Sequence, residues 1–217
     1  MTLQKKDFLE IEFTGKIKET GEVFDSNIKQ ELDKINSKQP VKPFVFALGE
    51  DMFLKGIDDF LIGKEIGKHT IELEAKKAFG PRDPSMIKLM PMILFRKHNL
   101  NPVQGVTLNF DGKMGKILSV SGGRVRVDFN NSLAGRDVVY EVDIKRKIED
   151  LNEKAKSLIE FFTRQDLPFE IKEKKLIIKT EEQIKKFLEL FKDKFKEILD
   201  LDLDLQESEK KDTKESQ

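Results

Sequence analysis

Along residues 8–14, Leu9, Ile11 and Phe13 alternate with Glu10, Glu12 and Thr14, the two-residue period of a strand that buries one face. A Thr20-Gly21 turn follows and Val23-Phe24 resumes the strand pattern, so the stretch predicts a β-hairpin. Residues 26–42 are polar and lysine-rich and are closed by Pro40 and Pro43, the texture of a surface bulge, with one helical turn expected around 28–35. Phe44, Phe46 and Leu48 alternate again. Phe53, Leu54, Ile57, Phe60 and Leu61 then fall at i, i+1, i+4, i+7 and i+8, one face of a compact helix that Gly63 is suited to stop. Residues 70–75 predict a further strand.

The texture changes at Gly80-Pro81-Arg82-Asp83-Pro84. Met86, Ile87, Leu89, Met90, Met92, Ile93, Leu94 and Phe95 form an apolar run broken only by Lys88 and Pro91. Beyond Asn101-Pro102, short strand patterns at 106–110, 117–120 and 125–129 are separated by Asp111-Gly112 and Gly122-Gly123 turns. They predict a small β-barrel-like module, and residues 138–144 predict one more strand. Leu151, Ala155, Leu158, Ile159 and Phe162 then mark an amphipathic helix, and a hairpin turns at 172–175. A single helix is expected from Glu181, carrying Ile184, Phe187, Leu188, Phe191, Phe195 and Ile198 on one side. Leu201, Leu203 and Leu205 alternate with Asp202 and Asp204 as a strand with an acidic outer face. The pattern places the chain in the α+β class, with a C-terminal αββαβ unit at 149–206 and a polar tail at 207–217 expected to be disordered.

At 217 residues the chain has room for one large domain or two to three small ones. Lys+Arg and Asp+Glu are equal at 40 each, so no global charge favours nucleic acid or a membrane, although a local basic patch is left open. Cys is absent, which excludes disulfides and thiolate chemistry and suits a reducing compartment. The opening residues carry no apolar leader, and no run approaches the roughly 18 apolar residues of a membrane span. A soluble cytoplasmic protein is the expectation. Heavy Lys and Glu usage fits a heat-adapted source. His69 and His98 are lone and far apart, which favours solvated or structural roles over a metal site. Gly63-Lys64 and Gly67-Lys68 lack the spacing of a phosphate loop. No metal and no cofactor is expected.

Several short motifs fall in a fixed order: Phe13-Thr14-Gly15, then Gly21 with Phe24-Asp25-Ser26, then Leu48-Gly49, Gly56 and Ala78-Phe79-Gly80. That order resembles the FKBP-type peptidyl-prolyl cis-trans isomerases, in particular the SlyD-like branch and its archaeal long-type members. The resemblance implies an antiparallel sheet around a short helix at 1–83 and 136–148, interrupted by an inserted β-rich ("insert-in-flap") domain at 84–135. The Asn131-Ser132-Leu133-Ala134-Gly135 exit matches that branch closely. The C-terminal unit is similar, far less specifically, to the extra domain of long-type members. Those relatives suggest a homodimer through it. The metal-binding His/Cys tail of many SlyD-like proteins is missing here.

By resemblance, the site walls are Phe13, Phe24, Phe44, Phe46, Phe53, Leu54, Ile57, Phe79 and Tyr140, with Asp25 at the rim and the Leu54 N–H donating to the bound peptide. Ile57 stands where many eukaryotic members have Trp, and Phe79 where Tyr is common, so tight macrolide binding is not implied. The inserted run Met86, Ile87, Leu89, Met90, Met92, Ile93, Leu94 and Phe95 would hold unfolded chains. The implied partners are unfolded or proline-containing polypeptides. Read without the resemblance, phenylalanines on strands are ordinary core. Asp25 alone is a turn residue, and the Met run serves equally as core or as an adaptable surface. Two further functions stay open: a holding chaperone with little isomerase activity, and a ribosome- or RNA-associated factor using the 106–129 strands and the basic C-terminal hairpin.

Overall fold

The computed structural model describes residues 2–37 and 41–207; Pro40 and the expected disordered tail from 208 onward lie outside the described residues. The first elements are β1 (Phe8–Ile17), β2 (Val23–Ser26), α1 (Lys29–Lys34), β3 (Phe44–Ala47), α2 (Lys55–Leu61) and β4 (Lys68–Leu73). The next stretch supplies β5 (Ile87–Pro91), α3 (Met92–Lys97), β6 (Thr107–Phe110), β7 (Lys113–Ser121) and β8 (Arg124–Asp128). The chain returns through β9 (Val138–Ile148), then α4 (Leu151–Thr163), β10 (Phe169–Lys172), β11 (Lys175–Thr180), α5 (Glu182–Glu189), α6 (Lys192–Leu199) and β12 (Asp202–Glu207). Two compact units result: residues before 17, 23–71 and from 139 on form one, and residues 17–22 and 72–138 form the other.

In the first unit a five-stranded sheet runs in the order β2-β1-β9-β4, with β3 also on β1. Because β9 takes one edge of β1, the two short strands share the other: Phe8–Ile11 pair with β3 and Thr14–Lys16 with β2. β1 extends through Gly15, past the expected strand end, and only Glu12 along it is exposed. The alternation holds over Leu9–Phe13 and breaks at Phe8, whose ring lies 5.8 Å from the Lys154 ammonium on α4, and at Thr14, whose hydroxyl lies 3.1 Å from Ser26 Oγ.

The helix after β3 is shorter than its apolar spacing predicts. Leu54 is extended (φ −68°, ψ 130°) and its carbonyl accepts the N–H groups of Ile57 and Asp58, so Phe53 and Leu54 precede α2. Gly63 takes a left-handed φ of 82°, which a side chain would resist, and it lies just past the helix end as expected.

The C-terminal segment forms its own sheet, β10-β11-β12, in which β12 runs parallel to β11. A parallel pair needs a crossover, here α5 and α6. The expected single helix is two. Leu190 and Phe191 donate to Phe187 O and Leu188 O, tightening the turn, and Phe191 then swings onto Phe162 at 4.4 Å between ring centres.

The second unit carries an antiparallel sheet in the order β5-β8-β7-β6. It is open, with β5 and β6 as its edges, and does not close into the expected barrel. Phe95 from α3, Ile117, Val125 and Val127 are its core. A side chain at Gly115 would strike Val127, Phe110 and Phe129 within 2.6–2.9 Å, so glycine lets these groups close over β7. The Met86–Phe95 run divides: Phe95 is buried and Met90 and Met92 partly so, whereas Met86, Leu89, Ile93 and Leu94 face solvent.

Candidate active site

Six rings converge in the first unit. Phe13 comes from β1, Phe24 from β2, Phe44 and Phe46 from β3, Phe53 from the turn before α2, and Tyr140 from β9. Phe53 is the hub, with ring centres 5.1 Å from Phe13, 5.3 Å from Phe44, 5.6 Å from Phe46 and 5.5 Å from Tyr140. Phe24 meets Tyr140 edge-on at 5.7 Å, and Phe44 stacks on Phe46 at 5.5 Å. These offsets suit the quadrupoles of aromatic rings and add to the burial of their surfaces. Phe46 and Ile57 are fully buried, Phe13 and Tyr140 nearly so, and Phe24, Phe44, Phe53 and Leu54 stay half-exposed. The cluster therefore has a solid floor and an accessible apolar rim.

The backbone around this rim is held by the motif residues Ser26 and Thr14 and by Asn27, which the motif order does not single out. Asn27 Oδ1 accepts the Phe13 N–H at 2.7 Å, and its Nδ2 donates to Ile11 O at 2.8 Å and to Lys42 O at 3.3 Å. It fills the gap on β1 between the stretches paired to β3 and β2. Ser26 Oγ donates to Phe13 O at 2.8 Å, lies 3.1 Å from Thr14 Oγ1, and accepts the Ile28 N–H. Gly15 is required by contact: a Cβ there would lie 2.7 Å from the Phe24 ring and 3.0 Å from that of Tyr140.

Asp25 is half-buried, and burial raises its pKa above the usual carboxylate value, opposed by a hydrogen bond from the Ser26 N–H. Burial, and then the charge of Asp25, raise the pKa of the Tyr140 hydroxyl, which locates the carboxylate beside that ring. Asp58 on α2 is 2% exposed and its Oδ1 has no hydrogen-bond partner. Burial lifts its pKa to about 6, against a stabilising Gly49 N–H bond and with the help of Asp51, Asp59 and Glu50. Phe79 belongs to the second unit, half-buried after a 3₁₀ turn at Ala75–Lys77. No cluster of metal-ligating side chains occurs among the described residues. No helix among them is long and apolar enough to cross a membrane.

The FKBP-type peptidyl-prolyl cis-trans isomerase model matches residues 1–95, and the model of the FKBP26 IF domain matches residues 88–133. The short-type peptidyl-prolyl cis-trans isomerase of Methanocaldococcus jannaschii is 26% identical over 148 residues, covering 66% of this chain and 92% of that protein. The FKBP-type 16 kDa peptidyl-prolyl cis-trans isomerase of Escherichia coli K12 is 32% identical over 109 residues, 48% of this chain and 72% of the relative. The chain belongs to the FKBP-type peptidyl-prolyl cis-trans isomerases. The inserted segment is of the IF type. Neither family model extends past residue 133.

Proposed function

We propose that the aromatic cluster is the isomerase site and that it works by excluding water from the X–Pro amide. The barrier of about 18–20 kcal/mol comes from amide resonance. Twisting the bond removes that resonance and with it part of the charge separation on the carbonyl. An apolar wall of Phe13, Phe24, Phe44, Phe46, Phe53, Ile57 and Tyr140 therefore favours the twisted amide over the planar one, the differential binding that lowers a barrier. About 1.4 kcal/mol of such preference is worth tenfold in rate. In this reading Asp25 faces the substrate carbonyl, and the Leu54 N–H, among the first-turn amides that a helix leaves without internal partners, holds the peptide. Phe79 joins by its motif. The observation that carries the reading is the convergence of four rings on half-exposed Phe53 beside one partly buried carboxylate.

The inserted module, taken as 84–135, is proposed to capture unfolded polypeptide in the cytoplasm for the isomerase formed by 1–83 and 136–148. Its exposed Leu89, Ile93 and Met114 are 57%, 60% and 58% accessible, a surface suited to adaptable apolar contacts. Covalent linkage raises the local concentration of captured chains at the site. The C-terminal unit at 149–206 is proposed to self-associate through Phe187 and Leu190, which are 42% and 78% exposed. The deciding experiment is the cis-to-trans rate of a short X–Pro peptide with the intact chain and with Asp25→Ala and Phe24→Ala. Saturable acceleration reduced by either change is expected. Suppressed aggregation without any acceleration would make the chain a holding chaperone.

A further inference from the structure

We propose that the inserted module selects acidic, apolar polypeptide segments, an inference that rests on the capture role given above. Charge over the whole chain is balanced, but residues 88–133 hold seven cations against two carboxylates, Asp111 and Asp128. The cations are Lys88 on β5, Arg96 and Lys97 on α3, Lys113 and Lys116 on β7, and Arg124 and Arg126 on β8. Among the described residues none of them forms an ion pair. Asp128 is already engaged by Arg82 and by both nitrogens of Asn130. Elsewhere the chain pairs its cations freely: Arg146 meets Glu10 and Glu153 at 2.7 Å each, and Lys147 meets Asp7 at 2.8 Å. The net positive excess is thus concentrated in this module.

The unpaired cations lie among exposed apolar groups. Arg124 and Arg126 alternate with the buried Val125 and Val127, so they stand on the outer face of the sheet, and Leu89 is opposite Arg126 in register. On the inner side α3 presents Arg96 and Lys97 next to exposed Ile93 and Leu94. A cleft of about 400 Å³ opens there, lined by Met90, Leu94, Phe95, Leu100 and Phe110, with His98, Asn109 and Asp111 as its polar members. The volume accommodates one or two large apolar side chains, and Lys113, paired across the strands with the lining Phe110, places positive charge at its edge. Carboxylates beside the apolar anchor gain from this field, and added ammonium groups are repelled.

Polypeptide fits better than nucleic acid. Phe110 packs edge-on against Phe95 at 5.7 Å and against Phe129 at 5.3 Å, so the ring at the cleft belongs to a packed cluster rather than to a row of free stacking faces.

The test uses the full chain and three fluorescent peptides with one Leu/Phe-rich core, flanked by Glu, Gln or Lys. Anisotropy titrations are run at low and high salt and repeated with Arg124→Glu/Arg126→Glu, with Lys97→Glu/Lys113→Glu, and with the matching Gln variants. Circular dichroism and the melting temperature report whether each variant is folded. The Glu-flanked peptide is expected to bind about tenfold tighter than the Lys-flanked one at low salt, with the ratio shrinking toward one at about 0.5 M salt. Charge reversal should reverse the order, and the Gln variants should flatten it. Equal binding of all three peptides, tighter binding of the Lys-flanked one, or an order unmoved in folded reversal variants would overturn the acidic preference while leaving capture intact. Binding of none would remove the capture role and this inference with it. An RNA oligonucleotide that displaces the Glu-flanked peptide and binds more tightly would assign the patch to nucleic acid and also overturn it.

Discussion

Asn27 closes the β1 ladder at Phe13: its side chain takes the Phe13 N–H at 2.7 Å and returns a donor to Ile11 O at 2.8 Å, bridging the end of the β3 pairing at Ile11 and the start of the β2 pairing at Thr14. One side chain therefore aligns the strand carrying Phe13, the strand carrying Asp25 and, through Lys42 O, the segment leading to Phe44. Asn27→Ala leaves these groups unpaired and is expected to destabilise by about 1–3 kcal/mol. Chemical denaturation measures that loss. The substitution should also lower kcat more than it raises KM, because the rings remain but their spacing loosens. A variant with unchanged denaturation midpoint and kinetics would remove Asn27 from this role.

Tyr140 is the only tyrosine in a chain without tryptophan, so its absorbance reports the cage alone. Burial and the nearby Asp25 raise its pKa above the usual value of about 10. An alkaline absorbance titration should show no phenolate until the protein unfolds, and Asp25→Asn should bring ionisation to lower pH. For an acid with a raised folded pKa, the folded state holds the proton longer. Stability is therefore lost as pH rises through the window that starts at the unfolded value. Titration near the free-tyrosine value in the folded chain would contradict the burial.

Asp58 sets a second pH dependence of the same sign. Its pKa is about 6 folded against 3.8 ordinarily, so between these values the folded state binds the proton and the unfolded state does not. Stability should fall as pH rises from about 4 to 6 on this account, by up to roughly 3 kcal/mol at higher pH. Asp58→Asn retains an acceptor for the Gly49 N–H and cannot ionise. It should be the more stable chain at pH 7, while the two converge near pH 4. Melting curves across that range decide it, and parallel curves at all pH values would deny the shift.

The hairpin, the α2 region and the ring positions were legible because strand alternation, turn glycines and motif order all pointed the same way. Three features were not. The break at Leu190–Phe191 is invisible to helical periodicity, since both halves keep their apolar face; it is set by Phe191 packing on Phe162. Burial of Phe8 on the outward face of β1 involves Lys154 of α4, which is distant in sequence. Asn27 lay in a stretch that read as a polar surface bulge, and only the shared edge of β1 makes its side chain a substitute for a strand. Glycine at 15 followed from the motif order, but its reason is the Phe24 ring above it.

Glu50 joins the β3–α2 turn to the C-terminal segment. Its side chain is 1% exposed, with Oε2 3.3 Å from Lys194 Nζ on α6 and Oε1 3.5 Å from Lys5 Nζ. Oε1 has that ion pair but no hydrogen bond, so the site is partly compensated. Removing Lys194 strands a buried charge, and Lys194→Met should cost on the order of 1–3 kcal/mol, whereas Glu50→Gln/Lys194→Met should recover part of it. A double-mutant cycle by denaturation gives the coupling; additive effects would show that the pair does not hold α6.

The ends of the inserted module lie side by side. Asp83 and Asn130 exchange two hydrogen bonds of 2.9 Å, and Gly135 donates to Gly80 O at 2.8 Å. Residues 84–129 can therefore be replaced by a short glycine linker without pulling the flanking backbone apart. If the module captures substrate and the cage isomerises it, the shortened chain should keep its rate on a short X–Pro peptide. Its rate on a proline-limited refolding protein should fall at least tenfold, because the linked site no longer raises local substrate concentration. The two assays run on one preparation separate the roles. Equal loss in both would mean that the module supports the cage itself, and no loss in either would leave it without a part in catalysis.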